Sequence, residues 1–159
     1  FGCSAGGALT AQLASWLPRH GLPQPAAIGV FGAGGVRFTS GDSAYIAGYI
    51  DGSFPPPAED GSASDLTRGY FADADMADPV ISPALYPDAM AQFPPTLLIT
   101  GDGLSRAVVA IPRLIAAGVD STLIVGEAMG LCYQYSPDLP ESREAYAAIV
   151  SHFRKRLGG

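Results

Sequence analysis

The residues best placed to do chemistry stand at the start of the chain. Gly2-Cys3-Ser4-Ala5-Gly6 reads G-x-S-x-G, and Gly7 extends it. A serine hydroxyl becomes an attacking group when it sits on a sharp turn between a strand and a helix, flanked by small residues that let other backbone approach. At such a corner the N–H of Ala5, in the first helical turn, can point at an oxygen that gains negative charge. The chemistry this predicts is acyl transfer, with Ser4 as nucleophile and the Ala5 N–H as part of an oxyanion hole. Small residues also open helices with no chemistry attached, so the motif must be judged by its setting.

The elements around the motif follow from hydrophobic periodicity. Leu9, Leu13, Trp16 and Leu17 recur at helical spacing, and Pro18 with Gly21 ends the pattern, which predicts an amphipathic helix over 5–17. Trp16 and Met129 read as core residues. Ala26–Phe31 is a short apolar run without alternation, as expected of a strand buried on both faces, and Thr96–Thr100 and Ser121–Val125 read as a second and a third strand. A helix is expected over 105–117, with Pro112 kinking or splitting it. The last helix opens at Pro140 and Glu141, ends at Arg154-Lys155-Arg156, and carries a stripe of Tyr146, Ile149, Val150, Phe153 and Leu157. Residues 35–93 are rich in Gly, Pro and Ser, contain one candidate helix at Ala44–Tyr49, and read as a loop-rich insertion. Alternating helices and strands imply an α/β fold: a parallel sheet with helices on both faces.

Composition excludes several classes. At 159 residues and a mean hydropathy of +0.22, the chain suits a single domain (1–159) with its own core. Nine basic against fifteen acidic residues give a net charge of −6, which disfavours nucleic acid as a partner. No apolar run approaches the ~20 residues of a membrane span. Metal spacing is missing, no cofactor motif is found, and Gly32-Ala33-Gly34-Gly35 lacks the lysine of a phosphate-binding loop. Asp42, Asp73, Asp75 and Asp78 read as solvated loop carboxylates. Two cysteines, Cys3 and Cys132, are too few for a disulfide scaffold and fit a reducing compartment. With no leader pattern after Phe1, a cytoplasmic location is expected.

Five landmarks in order carry a resemblance. Gly2-Cys3-Ser4-Ala5-Gly6-Gly7, Asp78-Pro79-Val80-Ile81-Ser82-Pro83, Phe93-Pro94-Pro95-Thr96-Leu97-Leu98-Ile99-Thr100-Gly101, Arg113–Val119 and Pro140–Tyr146 span nearly the whole chain. Together they resemble the hormone-sensitive-lipase-like esterases of the α/β-hydrolase fold. The resemblance implies a serine carboxylic-ester hydrolase acting on a small-molecule ester. Ser4 would be the nucleophile, and Asp102 the acid that orients a histidine; a Gly-Asp-Gly turn would also favour Asp at 102 without any such role. It further implies that the chain is the C-terminal part of such a domain, a sheet remnant lacking its N-terminal half and an H-G-G loop. The strand before Ser4 is then only Phe1 and Gly2, so nothing visible imposes the strained turn. Ala26–Phe31 becomes an exposed edge open to self-association.

The catalytic histidine is the point of departure. The family pattern places it at position 131, where this chain has Leu131. A leucine neither takes a proton from Ser4 nor returns one to a leaving alcohol. Only two histidines exist. His20 lies beyond the far end of the helix that Ser4 begins, some 20 Å away at about 1.5 Å per residue. His152 falls beside the stripe of the last helix and is expected at the surface. Two expectations follow: an ester hydrolase that is weak or inactive in this chain, or a non-catalytic remnant or binding module on the same scaffold.

Overall fold

The chain leading into Ser4 forms a strand despite its brevity. A computed structural model describes residues 1–34, 71, 73–101 and 106–158. Strand β1 (Gly2–Cys3) passes through Ser4 into helix α1 (Ala5–Arg19), and β2 (Ile28–Phe31) follows. A 3-10 turn at Pro83–Leu85 and the short helix α2 (Pro87–Met90) precede β3 (Thr96–Gly101). Next come α3 (Arg106–Ala116), β4 (Ser121–Gly126), a 3-10 turn at Tyr133–Tyr135, and α4 (Pro140–Leu157). The candidate helix at 44–49 and most of the expected insertion lie outside the described residues. Helix α3 runs through Pro112 unsplit.

The four strands are parallel and lie side by side in chain order. Gly2 and Cys3 pair with Val30 and Phe31, so the C-terminal half of β2 is covered rather than bare. Phe1 adds to this cover: its ring lies 5.8 Å from that of Phe31 and 5.5 Å from that of Phe153. Side chains alternate across the sheet. Ile28, Val30 and Leu98 meet Ala11 and Ala14 of α1, Ala110 and Leu114 of α3, and Met90 and Phe93 on one face. Phe31, Leu97 and Ile99 meet Tyr133, Ala145 and Ile149 on the other, with Met129 packed at the margin. The α/β architecture is therefore the expected one, with helices on both faces.

Two helices are turned differently from expectation. Helix α1 buries its small residues Gly7, Ala11, Ala14 and Ser15. Small side chains let a helix lie close to a sheet, and the opposite stripe of Leu9, Leu13 and Trp16 is left exposed. Helix α4 buries Ser142, Ala145, Ile149 and His152 at spacings of three and four, while Tyr146, Val150 and Leu157 face outward. His152 is thus a buried residue, not a surface one. Among the described residues, no helix is long and apolar enough to cross a membrane.

The segment 73–86 is anchored to α1. Ser15 Oγ donates to the Pro79 carbonyl at 2.8 Å, and Ser82, fully buried, donates to the Met76 carbonyl at 2.8 Å. The Asp75 and Asp78 carboxylates accept from the N–H groups of Ala77 (2.9 Å) and Val80 (2.7 Å). These two carboxylates are therefore turn-forming, a more specific role than the solvated one expected from sequence.

Candidate functional site

The candidate site lies on the C-terminal rim of the sheet, where β1 turns into α1. Ser4 has φ 55° and ψ −119°, a conformation that costs a non-glycine residue about 1–3 kcal/mol. The turn is held from both sides. Ser4 N–H donates to the Phe31 carbonyl at 2.9 Å, and the Ser4 carbonyl accepts the first helical bond from Ala8 N–H at 2.9 Å. The flanking glycines are a steric necessity. A β-carbon at Gly2 would lie 2.5 Å from the Gly6 carbonyl carbon, and one at Gly7 would lie 2.6 Å from the Phe31 oxygen. Sequence thus encodes the strain through what it omits at positions 2 and 7. The Ser4 side chain does not cap α1. The N–H groups of Ala5, Gly6 and Gly7 open the helix without intrahelical acceptors, and Ala5 is exposed.

The loop after β4 closes over this corner. Leu131 packs on Gly32, which has φ 57°; a β-carbon there would collide with Leu131 Cδ1 and sit 3.5 Å from Cys3 Sγ. A branched aliphatic side chain therefore occupies the space beside the serine turn. Asp102 lies outside the described residues. The strand that leads to it ends at Gly101, directly beneath the carbonyls of Met129 and Gly130.

Neither histidine is at this corner. His20 is exposed at the far end of α1, stacked on Trp16 at 3.8 Å with its Nδ1 on the Trp16 carbonyl. Trp16 is itself partly exposed, not core. His152 belongs to the opposite rim, against the backbone of Ile28 and Pro95. Burial lowers its pKa, and the nearby Arg156 guanidinium lowers it further; the backbone of Ile28 and Pro95, and then Asp120, act the other way. Its Nε2 finds no hydrogen-bond partner among the described residues. Tyr133, at the end of the loop, is no substitute base. Burial raises its pKa, and the carboxylates of Glu144 and Glu141 raise it further, which keeps the phenol protonated at neutral pH.

Cys3 and Cys132 form a disulfide, where free thiols were expected. Their Cα atoms are 6.1 Å apart across a sequence separation of 129. Gln134 Nε2 donates to Cys3 Sγ at 3.1 Å. Counting cysteines could not reveal the pair. The usable signal was position: one cysteine precedes Ser4 and the other follows Leu131, two sites the resemblance brings together.

A family model described as the alpha/beta hydrolase fold matches residues 1–134. The chain belongs to that family. Among solved structures, this α/β-hydrolase chain resembles an esterase from the bacterial hormone-sensitive lipase family at 30% identity and TM-score 0.78, covering 96% of this chain and 51% of that one. It resembles an esterase named E25 at 28% identity and TM-score 0.78, covering 96% and 47% respectively. EstE5, at 24% identity and TM-score 0.83, shares the fold over 99% of this chain and 53% of its own. No curated protein sequence matches significantly. The α/β-hydrolase chain thus spans about half the length of the solved structures it matches.

Proposed function

We propose that this chain carries the nucleophile-bearing part of a serine carboxylic-ester hydrolase, impaired by the leucine at position 131. In the unimpaired form Ser4 would attack the ester carbonyl, the Ala5 N–H would help hold the oxyanion, and Asp102 would orient an imidazole at position 131, which here is leucine. The substrate is a small-molecule ester. One observation carries the reading: a serine at φ 55° on a strand–helix corner, with Leu131 packed on Gly32 close to Cys3. Loss of the base removes the proton acceptor but leaves the corner and its N–H groups, so residual activity is expected to be low or nil.

Hydrolysis of short-chain p-nitrophenyl esters tests this. The unmodified chain should show no turnover that depends on Ser4. Leu131→His, assayed with the missing half of the domain supplied, should turn the esters over, and adding Ser4→Ala should abolish the gain. No gain in Leu131→His would count against the hydrolase; Ser4-dependent turnover in the unmodified chain would count against the impairment. The packing of Leu131 on Gly32 also favours a second reading, a non-catalytic binding module on this scaffold, which predicts ligand retention without turnover in both forms. Self-association along the outer edge of β1 and β2 is part of either reading, and sedimentation over a concentration series checks it.

A further inference from the structure

We propose that the Cys3–Cys132 disulfide is a redox modification site that fastens the loop after β4 to the serine corner, and that a dithiol opens it in the folded protein. Each sulfur belongs to a residue adjoining the site: Cys3 precedes Ser4, and Cys132 follows Leu131. Both cysteines are only half-buried, so an attacking thiolate can reach them. Two backbone bonds within the loop are local, Met129 N–H to the Gly126 carbonyl and Tyr133 N–H to the Gly130 carbonyl, both at 3.2 Å. Such bonds shape the turn without attaching it to β1. Among the described residues, the loop is attached to the corner by the disulfide, the Gln134 contact to Cys3 Sγ, and the packing of Leu131 on Gly32.

The exchange is balanced within named reactants. One thiolate of the dithiol attacks a cysteine sulfur, the S–S bond breaks, and the other cysteine leaves as thiolate. The second thiol of the reagent then displaces the remaining cysteine. Two electrons and two protons pass to the protein, giving two cysteine thiols and an oxidised cyclic reagent. This inference is independent of whether Ser4 turns over esters.

The test uses the full chain prepared without reductant and dithiothreitol as the dithiol. Iodoacetamide should leave both cysteines unlabelled before reduction and alkylate both after it, under native conditions. Hydrogen exchange should then accelerate about tenfold or more at residues 127–135 and 2–6, with β3 and its pairing to β4 unchanged. Cys132→Ser should show the faster exchange without reductant and no response to it. Labelling of both cysteines before reduction, resistance of the bond until the chain unfolds, or equal loss of protection across the whole sheet would each overturn the proposal.

Discussion

At one rim of the sheet a serine is held in a strained conformation near a leucine packed on Gly32, while at the other an imidazole is buried against strand ends, its Nε2 without a partner among the described residues. The two rims are separated by the length of β2, about 10 Å at roughly 3.3 Å per residue. Each holds one half of what proton-assisted acyl transfer needs, and distance keeps the halves apart. A buried histidine near neutral charge is therefore no sign of catalysis here. His152 fills a place in the packing of α4, and Ser4 stands at a corner held by two backbone hydrogen bonds and by the room that Gly2 and Gly7 leave. The comparison teaches that strain at a serine and an imidazole to activate it are separable in sequence: glycines 2 and 7 keep the first, and on the proposed reading position 131 lacks the second.

The largest expected effect breaks that separation. Placing an imidazole at the serine rim through Leu131→His should raise Ser4-dependent ester hydrolysis by about 10²–10⁴-fold in the completed domain, the usual contribution of a general base. A rate series across Leu131→His, Leu131→Gln and the parent distinguishes proton transfer from mere loss of bulk. Next in size is the covalent tie at the same rim. Replacing Cys3 and Cys132 with alanine should lower stability by about 2–4 kcal/mol, because a long loop in the unfolded chain is set free; urea unfolding checks it.

A smaller effect sharpens the role of Leu131. Gly32→Ala should destabilise the chain by about 1–3 kcal/mol, combining a positive φ with overpacking. The overpacking part of that loss, not the part due to the positive φ, should be recovered when Leu131→Ala is added, as a double-mutant cycle would register. If the two losses simply add, the leucine is not what fills the space over Gly32. The smallest effect concerns the opposite rim. His152 has a lowered pKa when folded, so the unfolded chain binds the extra proton first. Its contribution is complete above about pH 6.5 and is lost as pH falls from there through the folded pKa. Thermal melting from pH 8 to pH 5 should show this decline, and His152→Gln should flatten it.

Strands β2 and β3 were legible because they are buried on both faces, where an unbroken apolar run is the expected pattern, whereas β4 is an edge strand with Thr122 and Val125 exposed. Thr96–Gly101 extends the expected strand by one residue, and Ser121–Gly126 does the same. The helices were harder to orient. Both α1 and α4 place small residues against the sheet, and periodicity weighted by size points to the other face. That single misreading put Trp16 inside and His152 outside. At the site, Leu131 packs on Gly32, close to Cys3, the residue before Ser4. The disulfide was hidden because its two residues are 129 positions apart, and only the closure of the sheet joins them.

The outward stripe of α1 has a practical use. Trp16 is the chain's single indole, 38% exposed and stacked on His20. Its fluorescence emission is thus a reporter for one surface only: anything that comes to cover that side of the helix, whether a second copy or a complementary half-domain, should shift the spectrum toward the blue, while events around Ser4 leave it silent.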